Sequence, residues 1–268
     1  MILRFSRSLY RTLLPSDFRS KIHNFLMRSS GAEFEIAQLK NVIHERENRL
    51  HDYVKQALAT AASEASPVTY YTRNSNDSKL GQSFDTYGSD KNQRHSYAQF
   101  YEDQLDGIES PRILEIGIGS LGQFPYAGLK PGGSLQAWRE RYPTSVIVGG
   151  DIDEEAFASV SEIAFQLDQT DTDSLDVFST QIASYGPFDL IVDDGFHDPH
   201  ANILTVLSML PLLAPNGSYV IEDVHSSLID FWRVVLDVRK IHGTVIDMSA
   251  LRPDTDDNVL VLIKGKQF

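Results

Sequence analysis

The sequence predicts an α/β fold in which an N-terminal helical extension precedes a doubly wound, mostly parallel, seven-stranded sheet. Two observations support this: seven short apolar runs lack polar alternation, and helical segments separate the first five of them. Strands buried on both faces and joined by helices are typical of parallel sheets. The predicted strands are 112–116, 145–150, 163–167, 188–192, 218–221, 244–248 and 258–263, and the helical segments between them include 134–141, 174–185 and 199–213.

Four segments follow one another along the chain. Residues 1–30 mix apolar groups with arginines and are predicted as basic amphipathic helices, and residues 31–62 as a long helix with an a/d apolar register that Arg46 interrupts. Residues 63–83 are rich in Ser, Asn and Asp and are predicted as a linker, so the α/β domain spans 84–268.

The charge distribution is uneven. The net charge is −13, yet residues 1–28 contain six basic residues against Asp17 alone, a net charge of +5 that leaves −18 for the rest. Such an acidic body repels nucleic acid, so we expect no nucleic-acid partner. The basic segment is suited either to a membrane surface or to the acidic body of the protein itself. The long helix is equally compatible with homo-oligomer formation and with packing on its own domain.

The chain contains no cysteine, which excludes disulfides, thiolate metal sites and a cysteine nucleophile. No apolar run reaches the roughly 18 residues that a membrane span needs, and arginines interrupt the N-terminus where a secretory signal would be apolar. We therefore expect a cytoplasmic protein, with peripheral contact at the inner face of the membrane as an option.

Glycines follow the first core strand. Gly117, Gly119 and Gly122 match the spacing GxGxxG, which lets the backbone turn sharply and approach a ligand. Proteins that bind nicotinamide, flavin or a nucleoside methyl donor share this spacing. The glycines therefore predict a nucleotide-type ligand without choosing among the three.

Polar residues stand near the ends of the neighbouring strands. Asp151 ends the second strand, where a carboxylate accepts ribose hydroxyls, and Asp168 and Gln169 follow the third, where they are suited to reading an adenine edge. Ser134 opens a helix and is predicted either as its N-cap alone or also as a ligand contact. These residues predict a Rossmann-like ligand pocket.

Carboxylates crowd at the ends of the fourth and fifth strands. Asp193 and Asp194 end one strand, Glu222 and Asp223 the other, and adjacent parallel strands bring their ends into one crevice. Crowded carboxylates raise each other's pKa unless a cation neutralises them. A hard divalent ion such as Mg²⁺, which prefers oxygen ligands, resolves the conflict. The sequence therefore predicts a metal site here.

A histidine stands beside the acidic residues. His197 follows Asp194 by three residues, and its ordinary pKa suits it to take a proton from a hydroxyl near neutral pH. His200 and His225 are the local alternatives. We predict that His197 is the general base.

These motifs, taken in order, resemble the macrolide-sugar O-methyltransferases of the mycinamicin and macrocin type, which are related to the cephalosporin hydroxylase-like group. The resemblance covers about residues 85–225. The matching runs are Tyr87–Lys91, Leu114–Gly119, Gly133–Leu135, Asp151–Ile152, Asp168–Gln169, Phe188–Leu190, Asp193–Gly195 with His197, and Tyr219–Asp223.

The resemblance implies a class I methyltransferase that transfers methyl from S-adenosylmethionine to a sugar hydroxyl with the help of Mg²⁺. It implies metal binding by Asp194, Glu222 and Asp223, with His197 as the base. Phe196 departs from the family, which has a small residue there, and so puts macrolides in doubt as acceptors. The residues assigned to the methyl donor are Glu115, Gly117, Gly119, Ser134, Asp151, Asp168, Gln169 and Asp193.

The acceptor is expected to be a glycan, a lipid-linked sugar or a glycosylated natural product. A resemblance of residues 1–30 to leaders of bacterial surface-polysaccharide enzymes favours a glycan or a lipid-linked sugar. Two alternatives stay open: a nicotinamide-dependent oxidoreductase that uses the same glycines, and a non-catalytic scaffold that binds S-adenosylmethionine.

Overall fold

A computed structural model describes residues 52, 55–56, 58–63, 65–119, 130–154, 156 and 162–266. The chain divides into two units, Met1–Ala59 and Thr60–Phe268. The described residues of the first unit are all helical. The predicted basic helices of 1–30 and most of the helix predicted over 31–62 lie outside the described residues, as do the membrane and oligomer contacts predicted for them.

The second unit is built on one sheet of eight strands in the order β1-β7-β8-β6-β5-β2-β3-β4. Strand β8 runs antiparallel to β6 and β7, and the other neighbours are parallel. The strands are β1 Thr69–Tyr70, β2 Arg112–Ile116, β3 Val146–Asp151, β4 Ile163–Gln166, β5 Phe188–Asp193, β6 Leu213–Val224, β7 Gly243–Asp247 and β8 Val259–Lys264.

Helices cover both faces of the sheet, each over a separate apolar cluster. Their starts follow the local chemistry: Asp198 caps the helix that Pro199 opens, accepting hydrogen bonds from two backbone amides. The helices are α1 Lys79–Tyr87, α2 Ala98–Gln104, α3 Gly133–Arg141, α4 Thr172–Ile182, α5 Pro199–Met209 and α6 Ile229–Arg239, and short 3₁₀ turns lie at Ala183–Tyr185, Leu210–Leu212, Ser226–Leu228 and Ser249–Leu251.

The mostly parallel α/β fold is confirmed, and the strand count is corrected from seven to eight. The seven predicted strands are all present, with shifts of a residue or so at most ends. The exception is β6, which extends from Leu213 to Val224. The additional strand, β1, has two residues that are both exposed, so it carries no apolar run.

The segment predicted as a linker, residues 63–83, differs from that interpretation. It contains β1, which pairs in parallel with β7, and the first five residues of α1. The Arg233 guanidinium of α6 also donates to the carbonyls of Ala62, Ala65 and Ser66. These contacts make the segment part of the α/β unit.

The strand order reverses beside β2, because the chain goes from β2 to β3 and later returns to β5 on the other side. Ligands of open α/β sheets bind outside the carboxyl ends of the strands at such a point. The carboxyl ends of β2, β3, β5 and β6 therefore define the edge where the predicted residues meet. Among the described residues, no helix has the length and apolar character of a membrane span.

Candidate active site

The glycine turn after β2 is held by the end of β3. Gly117 and Gly119 have φ values of +86° and +81°, which favour glycine. The Asp151 carboxylate accepts hydrogen bonds from the amides of Ile118 and Gly119, at 2.9 and 3.0 Å, and from its own loop at Asp153. Asp151 therefore lies where predicted and orders the turn through Oδ2, and its Oδ1 retains a lone pair for a ligand hydroxyl.

Gln169 and Asp193 are both predicted to contact the methyl donor, but their side chains lie inside the protein. Gln169 donates to Asp193 at 2.7 Å and to Thr205 at 3.0 Å, and its carbonyl oxygen accepts from the amide of Phe196. Asp193 also accepts from Asn202 and Tyr219. Both side chains point toward α5 and away from the crevice. Their hydrogen bonds stabilise the loop after β5.

Asp193 offers a test of this interior role. Burial raises its pKa, although its hydrogen bonds from Asn202, Gln169 and Tyr219 oppose the shift. A raised folded pKa means that the native state binds the proton more tightly, so stability falls as pH rises from the unfolded pKa through the folded one. Relative to Asp193→Asn, the wild type should lose free energy of unfolding as pH rises over that window. Urea unfolding of both proteins from pH 4.5 to 8 measures this, and a pH-independent difference would contradict it.

Ser134 and Glu115 also face inward. The residue that caps α3 is Gly132, not Ser134 as predicted, because the helix already starts at Gly133. The Ser134 and Glu115 side chains are both buried, and the Glu115 carboxylate accepts a hydrogen bond from the Trp138 indole at 2.6 Å. Ser134 and Glu115 are therefore interior residues on α3 and β2, not contacts exposed to a ligand. Asp168 is partly buried and accepts from the amide and hydroxyl of Thr170.

A buried lysine lies beneath the acidic crevice. Lys91 is 1% exposed, and its ammonium contacts Asp194, Glu222 at 2.5 Å and Glu115 at 3.4 Å. Burial lowers the pKa of Lys91, but the three carboxylates outweigh that effect and hold it well above its ordinary value. Lys91 is therefore a permanent internal cation. Lys91 ends the motif Tyr87–Lys91, but no feature of the sequence predicts its role in the site.

The crevice itself contains three groups suited to a metal ion. One ligand atom each from Asp194, His197 and Asp223 lies within 4.8 Å of the others, and His197 Nε2 is 3.7 Å from Asp194 Oδ1. Burial raises the pKa of Asp194, but Lys91 and His197 reverse this and leave it below the usual value. Asp194 is therefore ionised and available as a ligand.

Glu222 lies outside that group of three. It is 2% exposed, and its two oxygens accept from Lys91 and from the Tyr101 hydroxyl. Burial raises its pKa well above the ordinary value, against the effect of Lys91. The structure thus groups two of the three predicted metal ligands with the predicted base. Glu222 is held instead by Lys91 and Tyr101.

The backbone at this crevice is unusual. His197 and Asp223 both have φ of +52°, a left-handed conformation that costs energy in residues other than glycine. Strain at two facing residues is typical of sites whose geometry serves a ligand.

The alternatives to His197 lie elsewhere: His200 is exposed in the first turn of α5, and His225 contacts Ser227 and Asp256.

Two aromatic residues before α2 complete the wall of the crevice. The Tyr97 hydroxyl donates to Asp223 Oδ1 at 3.0 Å, and His95 Nδ1 lies 3.5 Å from the same oxygen. Neither residue was predicted for the site. The donor set of carboxylate oxygens and imidazole suits a divalent cation, and the fully buried His95 has no hydrogen-bond partner among the described residues. The residues present therefore fit a metal ion.

The chain is similar in sequence to sugar O-methyltransferases. The chain is 38% identical over 118 residues to demethylmacrocin O-methyltransferase of Streptomyces fradiae, covering 43% of this chain and 28% of that protein. It is 34% identical over 139 residues to mycinamicin VI 2″-O-methyltransferase of Micromonospora griseorubida, covering 51% and 33%. The resemblance predicted from the motifs is thus confirmed. No family model matches the chain.

Solved structures support the fold. A mycinamycin-pathway methyltransferase in complex with Mg, S-adenosylhomocysteine (SAH) and mycinamycin VI superimposes with a TM-score of 0.53 and 24% identity, covering 70% of this chain and 55% of that one. This likeness confirms the Rossmann-like fold. The chain spans about a third of the length of the curated relatives it matches.

Proposed function

We propose that this chain is a Mg²⁺-dependent O-methyltransferase that moves the methyl group of S-adenosylmethionine to a sugar hydroxyl. One observation carries the proposal: the cluster of Asp194, His197 and Asp223 lies at the carboxyl ends of β5 and β6, beside the glycine turn of β2. The similarity to sugar O-methyltransferases supports the same conclusion.

The glycine turn and Asp151 would hold the methyl donor. Because Asp151 fixes the amides of Ile118 and Gly119, the turn is ordered before a ligand arrives, which limits the entropy lost on binding. The exposed Ile152 beside Asp151 offers an apolar surface to a nucleobase. The donor would thus lie over β2 and β3, with the metal cluster on its β5 and β6 side.

His197 would carry out the proton transfer. Its imidazole is partly exposed, which gives an acceptor hydroxyl access to Nε2. When bound, Mg²⁺ would supply a Lewis acid that lowers the pKa of the hydroxyl, and Asp194 and Asp223 would hold it. The hydroxyl proton goes to His197, the oxygen forms a bond to the methyl carbon, and the carbon–sulfur electron pair stays on sulfur. Alignment of donor and acceptor supplies much of the remaining rate enhancement.

The proposal also names the class of sugar that accepts the methyl group. We favour a glycan or lipid-linked sugar at the cytoplasmic face of the membrane, with residues 1–28 as the basic contact. Phe196 supports a sugar, because its ring is 63% exposed directly before His197 and offers an apolar face to the C–H groups of a pyranose. The hydrogen bond from its amide to Gln169 fixes the backbone there.

Phe196→Ala should raise the KM for the acceptor about two- to tenfold, the size expected for one lost stacking contact. Steady-state kinetics with a methyl-labelled donor measures this, and the affinity for SAH should stay unchanged. Tyr70→Ala is the matched control, because Tyr70 is also an exposed aromatic but lies on β1 at the sheet edge. An unchanged acceptor KM in Phe196→Ala would contradict the stacking role.

The function is tested by ligand binding and then by transfer. Thermal unfolding is recorded with SAH and with NAD, since only a ligand of the native state raises the melting temperature. A labelled-methyl screen over nucleotide sugars, lipid-linked sugars and polysaccharide fragments then follows, with and without a chelator. Stabilisation by NAD alone would favour an oxidoreductase, and full transfer in excess chelator would contradict the metal role. SAH binding with no transfer in the screen would favour a scaffold.

A further inference from the structure

Among the described residues, His95 is the one with two buried side-chain polar atoms that lack a hydrogen-bond partner. Its side chain is fully buried, and among the described residues neither ring nitrogen has a hydrogen-bond partner. Buried polar atoms are nearly always paired in native proteins, and the exceptions often serve a ligand or an ion. A buried imidazole with two unpaired nitrogens therefore calls for an explanation beyond packing.

The position of His95 is fixed by its neighbours. The ring stacks on Tyr97 with centroids 5.0 Å apart and an angle of 21° between the planes. Ser96 between them has φ of +61°, a left-handed conformation that accompanies the stacking of two rings so close in sequence. This arrangement directs His95 Nδ1 toward Asp223 Oδ1, at 3.5 Å.

Asp223 needs such support. It has a left-handed backbone conformation, and the one hydrogen bond to its side chain among the described residues comes from the Tyr97 hydroxyl. That hydroxyl has a single proton and also lies 3.3 Å from the carbonyl of Asp257. Tyr97 therefore divides its proton between two acceptors, and His95 is the second group that faces Oδ1.

We propose that His95 is a positioning residue that fixes one oxygen of Asp223 so that the other faces the cation. The inference rests on the metal role in the proposed function. When Asp223 tightens around a cation, the gap of 3.5 Å closes to a hydrogen bond from the Nδ1–H of His95. Hydrogen bonds to a ligating carboxylate from outside fix its orientation and strengthen metal binding.

Two variants test this role. His95→Phe keeps the ring and its stacking on Tyr97 but removes both nitrogens, and His95→Asn keeps an N–H near the position of Nδ1. Mn²⁺ affinity is measured by calorimetry and metal-free stability by thermal unfolding. We expect His95→Phe to weaken Mn²⁺ binding about 10- to 100-fold, with an equal or higher metal-free melting temperature, because the buried unpaired atoms are gone. His95→Asn should recover most of the affinity.

The outcomes separate this inference from the function. Unchanged Mn²⁺ affinity in His95→Phe would overturn it, whatever the melting temperature. If His95→Phe does not fold, wild-type affinity in His95→Gln, which places its N–H near Nε2, would overturn it equally. A wild type that binds SAH but no Mn²⁺ would overturn both the inference and the metal role. The proposed methyl-donor pocket would still be supported. A wild type that binds Mn²⁺ but not SAH would contradict methyl transfer, and the His95 affinities would still decide the inference.

Discussion

Replacing His197 by alanine is expected to lower kcat by about two to four orders of magnitude, the usual contribution of a positioned general base. The affinities for SAH and Mn²⁺ should stay close to those of the wild type. The loss should appear in kcat because the proton moves only as the methyl group is transferred. Single-turnover transfer of labelled methyl, with calorimetry for both ligands, measures these quantities.

The metal measurement matters because a ring nitrogen of His197 also lies in the group suited to a cation. The same nitrogen cannot hold a metal and accept a proton. A large loss of Mn²⁺ affinity in His197→Ala would therefore make it a ligand and contradict its role as base.

His225→Ala is a matched control for His197→Ala. His225 Nε2 lies 3.6 Å from Asp256, and its side chain is 35% exposed, against 3.7 Å from Asp194 and 38% for His197. The two histidines thus share exposure and an acidic neighbour, but Asp256 is not in the metal cluster. Turnover in His225→Ala should match the wild type. A comparable loss in both variants would indicate a general effect on folding.

Lys91→Met is expected to reduce the free energy of unfolding by about 3–5 kcal/mol, the cost of removing one partner from a buried ion pair. Methionine matches the length of the lysine stem but leaves Asp194, Glu222 and Glu115 without their shared cation. Urea unfolding with and without Mg²⁺ measures the effect. A bound divalent cation would restore part of the lost charge balance, so Mg²⁺ should stabilise the variant more than the wild type.

The control is Lys264→Met. Lys264 also lies on a core strand, β8, but its ammonium donates to Gln104 and Ser218, which are uncharged. Burial lowers its pKa, the opposite of the shift at Lys91. Its loss should cost about 1.5–3 kcal/mol, as for hydrogen bonds made by a charged group, and so less than the loss of Lys91. Equal costs at both positions would mean that the carboxylate cluster does not depend on Lys91.

The fold was predictable because each core strand is an uninterrupted apolar run, and burial on both faces leaves that pattern in the sequence. The meeting of Asp194 and Asp223 was predictable too, since each stands two residues after a predicted run and the two runs are neighbours in the sheet. Strand β1 was not predictable, because two exposed residues leave no pattern. Its pairing depends on β7, far along the chain.

The inward residues of the site were missed for a different reason. Beyond the end of a strand, the alternation of side chains no longer predicts which way a side chain points. The sequence around Gln169 is therefore equally compatible with a ligand contact and with the observed contact to Asp193. Lys91 lies 103 residues from Asp194 in the chain, and beside Asp90 it resembles an ordinary surface charge. Its burial arises only when the segment between α1 and α2 covers the end of the sheet.

The close approach of the glycine turn to the acidic loop has a thermodynamic consequence. A methyl group at Gly117 would lie 2.2 Å from the carbonyl oxygen of Asp194, and the Asp194 amide donates to Ile116 just before the turn. No side chain separates the two loops there, so neither can shift without displacing the other. Occupancy of the nucleoside pocket and of the cation pocket should therefore be heterotropically linked, each ligand changing the affinity for the other by the same factor.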